Sequence, residues 1–192
     1  MKNKFNEYYK QITRPGADEL RLHLEEIGYF TAPASSNHHL AEDGGLLEHS
    51  LNVLDLLLKL QSVWPLKASV ESLIIVALFH DLGKATFYGK PNYVENILKS
   101  GKRSDAKPYE VNKELLGIEH EIASLMILSK FINLTEEEAF AIRHHNGLYV
   151  PSGYALKGKE TPLFLALHSA DMWASRFLET KGGRQECLIN MI

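Results

Sequence analysis

Apolar residues recur at helical spacing through most of this chain, and no stretch alternates apolar and polar positions as a half-buried strand would. Residues 17–27 read as a helix that Gly28 is placed to stop. Residues 31–45 are small, polar and turn-forming, so a loop is expected there. Leu47, Leu51, Leu54 and Leu58 then mark one face of a helix over 46–60, which Trp64-Pro65 breaks. Residues 70–82 are apolar nearly all round, which predicts a helix at the centre of the fold. A helix is expected over 116–131. Another opens at Thr135, whose Thr-Glu-Glu-Glu run is a capping-box signature, and runs to about residue 146 before Gly147. Thr161-Pro162 supplies an N-cap and a first-turn proline for a last helix to about residue 179, ahead of Gly182-Gly183.

Residues 85–112 break this pattern. They hold Gly89, Pro91, Gly101 and Pro108 around two short apolar-polar segments, 93–98 and 109–111, which fits a small β-hairpin flap between core helices. The segment also gathers Lys90, Lys99, Lys102, Arg103 and Lys107 behind Lys84, either as a basic flap over a phosphate site or as a solvated loop. The expected fold class is all-α: a single helical-bundle domain over 1–192 carrying this flap.

Composition narrows the classes of function. With 45% apolar and 23% charged residues the chain reads as soluble and globular. Its longest apolar run, 73–79, is far short of a bilayer span, and the first ten residues lack the apolar core of a signal peptide. One cysteine, Cys187, excludes an internal disulfide framework, so a cytoplasmic location with no membrane partner is expected. A net charge of −3 argues against bulk electrostatic capture of nucleic acid.

The nine histidines change the picture more, because eight fall between His38 and His168 and several adjoin carboxylates. His49 shares a line with Val53, Leu56 and Leu60. His80 and Asp81 end the most apolar helix, and His120 shares a stripe with Leu116, Ala123 and Ile127. His144 follows Phe140 by one turn, with His145 beside it. Asp171 interrupts the stripe Phe164, Leu167, Ala174, Leu178, a costly place for a carboxylate unless a cation meets it. A lone core histidine is usually just hydrogen-bonded, but five helices each aiming His or Asp inward suggest one shared metal centre.

Those residues, in that order, match the H…HD…D signature of the HD superfamily: His49, His80-Asp81, Asp171. The strings GGLLEHSLNVL, LFHDLGK, IRHHNG and LALHSADMWASR resemble the HD domain of YhaM-type 3′–5′ exoribonucleases over about residues 31–176, without the OB domain that precedes it in those enzymes. The resemblance implies a metal-dependent phosphohydrolase. His49, His80, Asp81 and Asp171 would hold one divalent ion. Asp81 would bridge to a second, with His120 and either His144 or His145 completing its ligands. One or two ions per chain are expected, and the donors do not choose among manganese, iron, zinc, nickel, cobalt and magnesium. Lys84 matches the lysine of the HD-x-G-K run and would contact a substrate phosphate, or else be a solvated helix end. Arg176 either reaches phosphate or pairs with Glu179 on the surface, and His168 would orient Asp171. The expected substrate is a nucleotide or related small phosphoester. A short single-stranded nucleic acid is the alternative, and a non-catalytic HD scaffold the reading from another class. Oligomeric state is not legible.

Overall fold

The computed structural model describes residues 1–180; Gly182-Gly183 and Cys187 lie outside the described residues. Seven α-helices form the body: α1 Lys2–Tyr9, α2 Ala17–Glu26, α3 Gly45–Val63, α4 Val70–Phe79, α5 His120–Leu128, α6 Glu136–His144 and α7 Pro162–Trp173. The all-α expectation holds. Helix α1 is an addition: its segment carries only Phe5 and Tyr9 as buried anchors, too few to register as a periodic face. Helix α5 starts at His120 rather than four residues earlier, and Leu116, which seemed to extend its stripe, is 85% exposed.

Helix α4 is the axis of the core. Leu73 through Phe79 are wholly buried against α3, α6 and α7, and each such aliphatic or aromatic side chain contributes roughly 1.5–3 kcal/mol on burial. The chain therefore delivers His80 and Asp81, which follow immediately, to the inside of the protein. The turn over Leu82–Lys84 then packs on the start of α5. A side chain at Gly83 would collide with the His120 carbonyl, so only glycine permits this approach. Ser124 pins the contact: its Oγ accepts from the Gly83 N–H at 2.8 Å and lies 2.9 Å from the His80 carbonyl oxygen.

The segment over 85–112 forms two small antiparallel pairs. Strand β1, Thr86–Phe87, pairs with β2, Lys90–Pro91, through a turn in which Tyr88 and Gly89 both have positive φ, as a two-residue hairpin requires. Strand β3, Tyr93–Glu95, pairs with β4, Tyr109–Val111. At the other end of the chain, α7 runs without a break into a π-helical stretch, Ala174–Leu178.

Candidate metal centre

Four imidazoles and two carboxylates converge where the ends of α4 and α6 meet α3, α5 and α7. The Asp81 carboxylate sits in the middle. Its Oδ2 lies 3.6 Å from Nε2 of His49 and 3.6 Å from Nε2 of His80. Its Oδ1 lies 3.1 Å from Nε2 of His120 and 3.4 Å from Nε2 of His145. On the first side, the His49 and His80 Nε2 atoms are 3.2 Å apart, and Asp171 Oδ1 is 3.2 Å from His49 Nε2. On the second, the His120 and His145 Nε2 atoms are 3.4 Å apart.

These spacings suit metal ligation. Two donors each about 2.1 Å from one ion lie roughly 3.0–3.4 Å apart at tetrahedral or octahedral angles. Asp81 Oδ1 is sealed from solvent and meets no aligned hydrogen-bond donor, although two imidazole nitrogens face it. A buried carboxylate oxygen left in this state is destabilising unless a cation meets it.

The far side of each ring shows why the Nε2 atoms are available. Nδ1 of His80 donates to the Ala77 carbonyl at 2.9 Å, and Nδ1 of His145 to the Ile142 carbonyl at 2.8 Å. Nδ1 of His49 lies 3.1 Å from both oxygens of Glu179, and Nδ1 of His120 lies 3.3 Å from Glu121 Oε2. Each Nδ1 proton is thereby committed, which leaves Nε2 of the neutral ring as a lone pair aimed inward.

The electrostatics match. Burial pushes His80 down to about 3, so it is a neutral donor at physiological pH. Burial also opposes charge on His49, but Glu179 and Asp171 outweigh it and hold this ring up to about 10. The proton retained there stands in for the cation that the surrounding carboxylates favour. Burial would raise Asp81, yet Lys84 and the histidines hold it well below the usual carboxylate range; Asp171 is lowered in the same way, with His49 the main opposing influence.

Two adjacent histidines separate cleanly. His145 is buried in the cluster, whereas the structure does not bring His144 to it. Successive helical residues point about 100° apart, and the His144 ring packs on Phe140 with centroids 4.8 Å apart. Lys84 is not a solvated helix end, since its ammonium group is 2.6 Å from Asp81 Oδ2. His168 does not orient Asp171; its Nδ1 donates to the His145 carbonyl at 2.7 Å. His23, with no evident partner in the sequence, pairs with Glu26 at 3.0 Å.

A cavity of about 560 Å³ opens on the cluster, lined by Lys84, His145, Tyr149, His168, Asp171 and Arg176 among others. His38 and His39, on the loop before α3, also line it. Arg176 does not pair with Glu179: its guanidinium lies over the Tyr149 ring, 5.8 Å from the centroid. None of the flap cations from Lys90 onward lines this cavity. Arg103 instead reaches Glu95 at 3.3 Å and covers the Tyr109 ring, and Lys90 donates to the Glu114 carbonyl. Glu179 is the site residue that sequence reasoning missed, for it is buried behind His49.

A model of the HD domain family matches residues 46–171, a span that contains every residue of the cluster. Among characterised proteins, the chain is similar to a dihydroneopterin 2′,3′-cyclic phosphate phosphodiesterase of Methanocaldococcus jannaschii. The two are 33% identical over 94 residues, which is 46% of this chain and 36% of that enzyme, so the chain spans little more than a third of the relative's length. No solved structure matches.

Proposed function

Because this chain belongs to the HD domain family, we propose that it is a metal-dependent phosphohydrolase acting on a nucleotide or related small phosphoester. The observation that carries this reading is the Asp81 carboxylate, each of whose oxygens faces its own pair of imidazole Nε2 atoms. His49, His80, Asp81 and Asp171 would hold one divalent ion, and Asp81, His120 and His145 a second. A metal held there supplies Lewis acidity toward phosphoryl oxygens and lowers the pKa of water to near neutrality.

The chain's own residues do the rest. Lys84 balances Asp81 and borders the cavity, so its ammonium group offsets charge on a phosphoryl oxygen entering from that side. Arg176 offers a planar pair of donors to a second oxygen, and Tyr149 beneath it presents a flat face to the organic part of the substrate. The cavity is of the size that encloses a small organic ligand. The cyclic phosphodiester named for the archaeal relative makes a cyclic diester the first substrate to try. Among the described residues no helix is long and apolar enough to cross a membrane.

The test is a panel assay on protein stripped by chelator and reloaded with single divalent metals. Cyclic nucleotides, nucleoside phosphates and short oligonucleotides serve as substrates. Small phosphoesters should be hydrolysed only with metal present, and Asp81→Ala should abolish turnover while the helices remain. Turnover confined to oligonucleotides would shift the reading to a nuclease. Absence of any metal-dependent hydrolysis would overturn it.

A further inference from the structure

The histidines of the cluster do not share one way of fixing their outer nitrogens. His80 and His145 are the C-cap residues of α4 and α6, and each reaches a carbonyl three residues back. Such carbonyls are free because the last turn of a helix leaves its acceptors without intrahelical partners. His120, at the start of α5, uses its neighbour Glu121. His49 has neither resource. It is the fifth residue of the nineteen-residue α3, where the surrounding carbonyls belong to the helix ladder. Its acceptor must come from another element.

We propose that Glu179 is a positioning residue for the metal centre, and that the π-helical stretch Ala174–Leu178 serves to deliver it. This rests on the reading of His49 as a ligand. Both Glu179 oxygens lie 3.1 Å from His49 Nδ1, and Asn52 Nδ2 donates to Oε1 at 3.0 Å. His39 Nε2 lies 3.8 Å from Glu179 Oε2, and the Glu179 side chain is 1% exposed, so the carboxylate faces these partners and is shielded from water. His49 is thus held between two carboxylates of one continuous helix, with Asp171 at Nε2 and Glu179 at Nδ1.

Helix arithmetic shows what the π stretch contributes. At about 100° per residue, the position seven residues past Asp171 comes within roughly 20° of its face, and that position is Leu178. Glu179 in a regular α-helix would fall about 80° beyond it. The Glu179 N–H instead bonds the Ala174 carbonyl at 3.0 Å, five residues back, and the extra residue absorbed in that turn brings Glu179 round to His49. Insertions of this kind cost helix regularity and concentrate at functional sites. Here the return is a carboxylate–imidazole pair that fixes both the ring angle and the Nδ1–H tautomer of a ligand.

The experiment uses the full chain, titrated with Zn²⁺ against a competing chelator, together with ¹⁵N chemical shifts of the His49 ring. Glu179→Ala should weaken Zn²⁺ binding by about 10–100-fold, the range typical of losing an outer carboxylate from a ligand histidine. It should also shift the His49 Nδ1–H proton and ¹⁵N resonances upfield, because the hydrogen bond to a carboxylate is lost whether or not Zn²⁺ is bound at Nε2. Glu179→Gln keeps an oxygen that accepts from Nδ1–H, so it should fold and restore most of the affinity and of the Nδ1–H shift. If wild type binds Zn²⁺ and both variants match it in affinity and Nδ1–H shift, the role of Glu179 is overturned and the metal centre stands. If wild type binds no Zn²⁺, the metal centre falls and the inference with it.

Discussion

Replacing His145 with alanine should strip the chain of one of two bound ions, while replacing its neighbour His144 should leave both. The magnitude follows from the donor count. On the second side of Asp81 the described residues offer three groups: Asp81 Oδ1, His120 Nε2 and His145 Nε2. Four-ligand structural zinc sites are worth about 10–16 kcal/mol, so one ligand carries about 3 kcal/mol. At about 1.4 kcal/mol per decade, its removal weakens the second ion by on the order of a hundredfold. His144 contributes only packing against Phe140 at a partly buried position, so its loss should cost about 1 kcal/mol of stability and nothing in metal binding. Elemental analysis after dialysis gives the stoichiometry, a competitive titration the affinities, and denaturant unfolding the stability. Loss of an ion from His144→Ala with His145→Ala unaffected would refute the geometry. Unchanged stoichiometry in both would refute the second site.

Two further expectations concern substrate and protons. Tyr149→Ala and Arg176→Ala should each raise KM for a small phosphoester by roughly tenfold, the scale of one aromatic stacking contact, with metal content unchanged. An unchanged KM would remove this wall from substrate recognition. Metal affinity should fall as pH falls: the raised pKa of His49, about 10, means that the metal-free ring is protonated throughout the neutral range and an entering ion must displace that proton. Calorimetry in buffers of different ionisation heat should register proton release on metal binding, and an affinity that stays flat between about pH 6 and pH 8 would contradict this assignment.

Most of the residues that the structure brings together in the cluster were legible because helix periodicity converts sequence position into direction. His49 and Asp171 each interrupt an apolar stripe, and His80-Asp81 ends a segment apolar on every side, so all four had to turn inward; His49, His80 and Asp81 are buried and Asp171 borders the cavity. The same arithmetic concealed Glu179. A regular helix puts Leu178 on the Asp171 face and Glu179 off it, and no residue in the run Ala-Ser-Arg-Phe-Leu announces a π turn. Leu116 misled for the opposite reason: its spacing from His120 and Ala123 is helical, but the helix that would realise that spacing begins only at His120. The flap was legible as a hairpin from its glycines and prolines, yet the direction of its cations depends on tertiary placement, and that placement turns them from the cavity.

Charge balance explains why a cluster so expensive to bury persists in the core. Asp81, Asp171 and Glu179 place three carboxylates around His49 and His80, and the Lys84 ammonium group is in direct contact with Asp81. Three negative charges against one positive leave an excess of two, if the histidines are neutral. Glu121 is met by Arg143 at 3.0 Å, a guanidinium that it shares with the exposed Glu119 at 2.9 Å. Two helix C-termini, of α4 and α6, also end at the cluster, and each contributes roughly half a negative charge from its free carbonyls. Without a metal, protonation of His49 offsets part of this, which is why its pKa is raised despite complete burial. A divalent ion held there would offset the carboxylate excess, and His49 would then be the neutral donor that its hydrogen bond to Glu179 prepares it to be. The same negative surroundings that would hold an ion would repel a phosphate, so on the proposed reading substrate would approach from the cavity side, where Lys84, Arg176 and the held ion would face it.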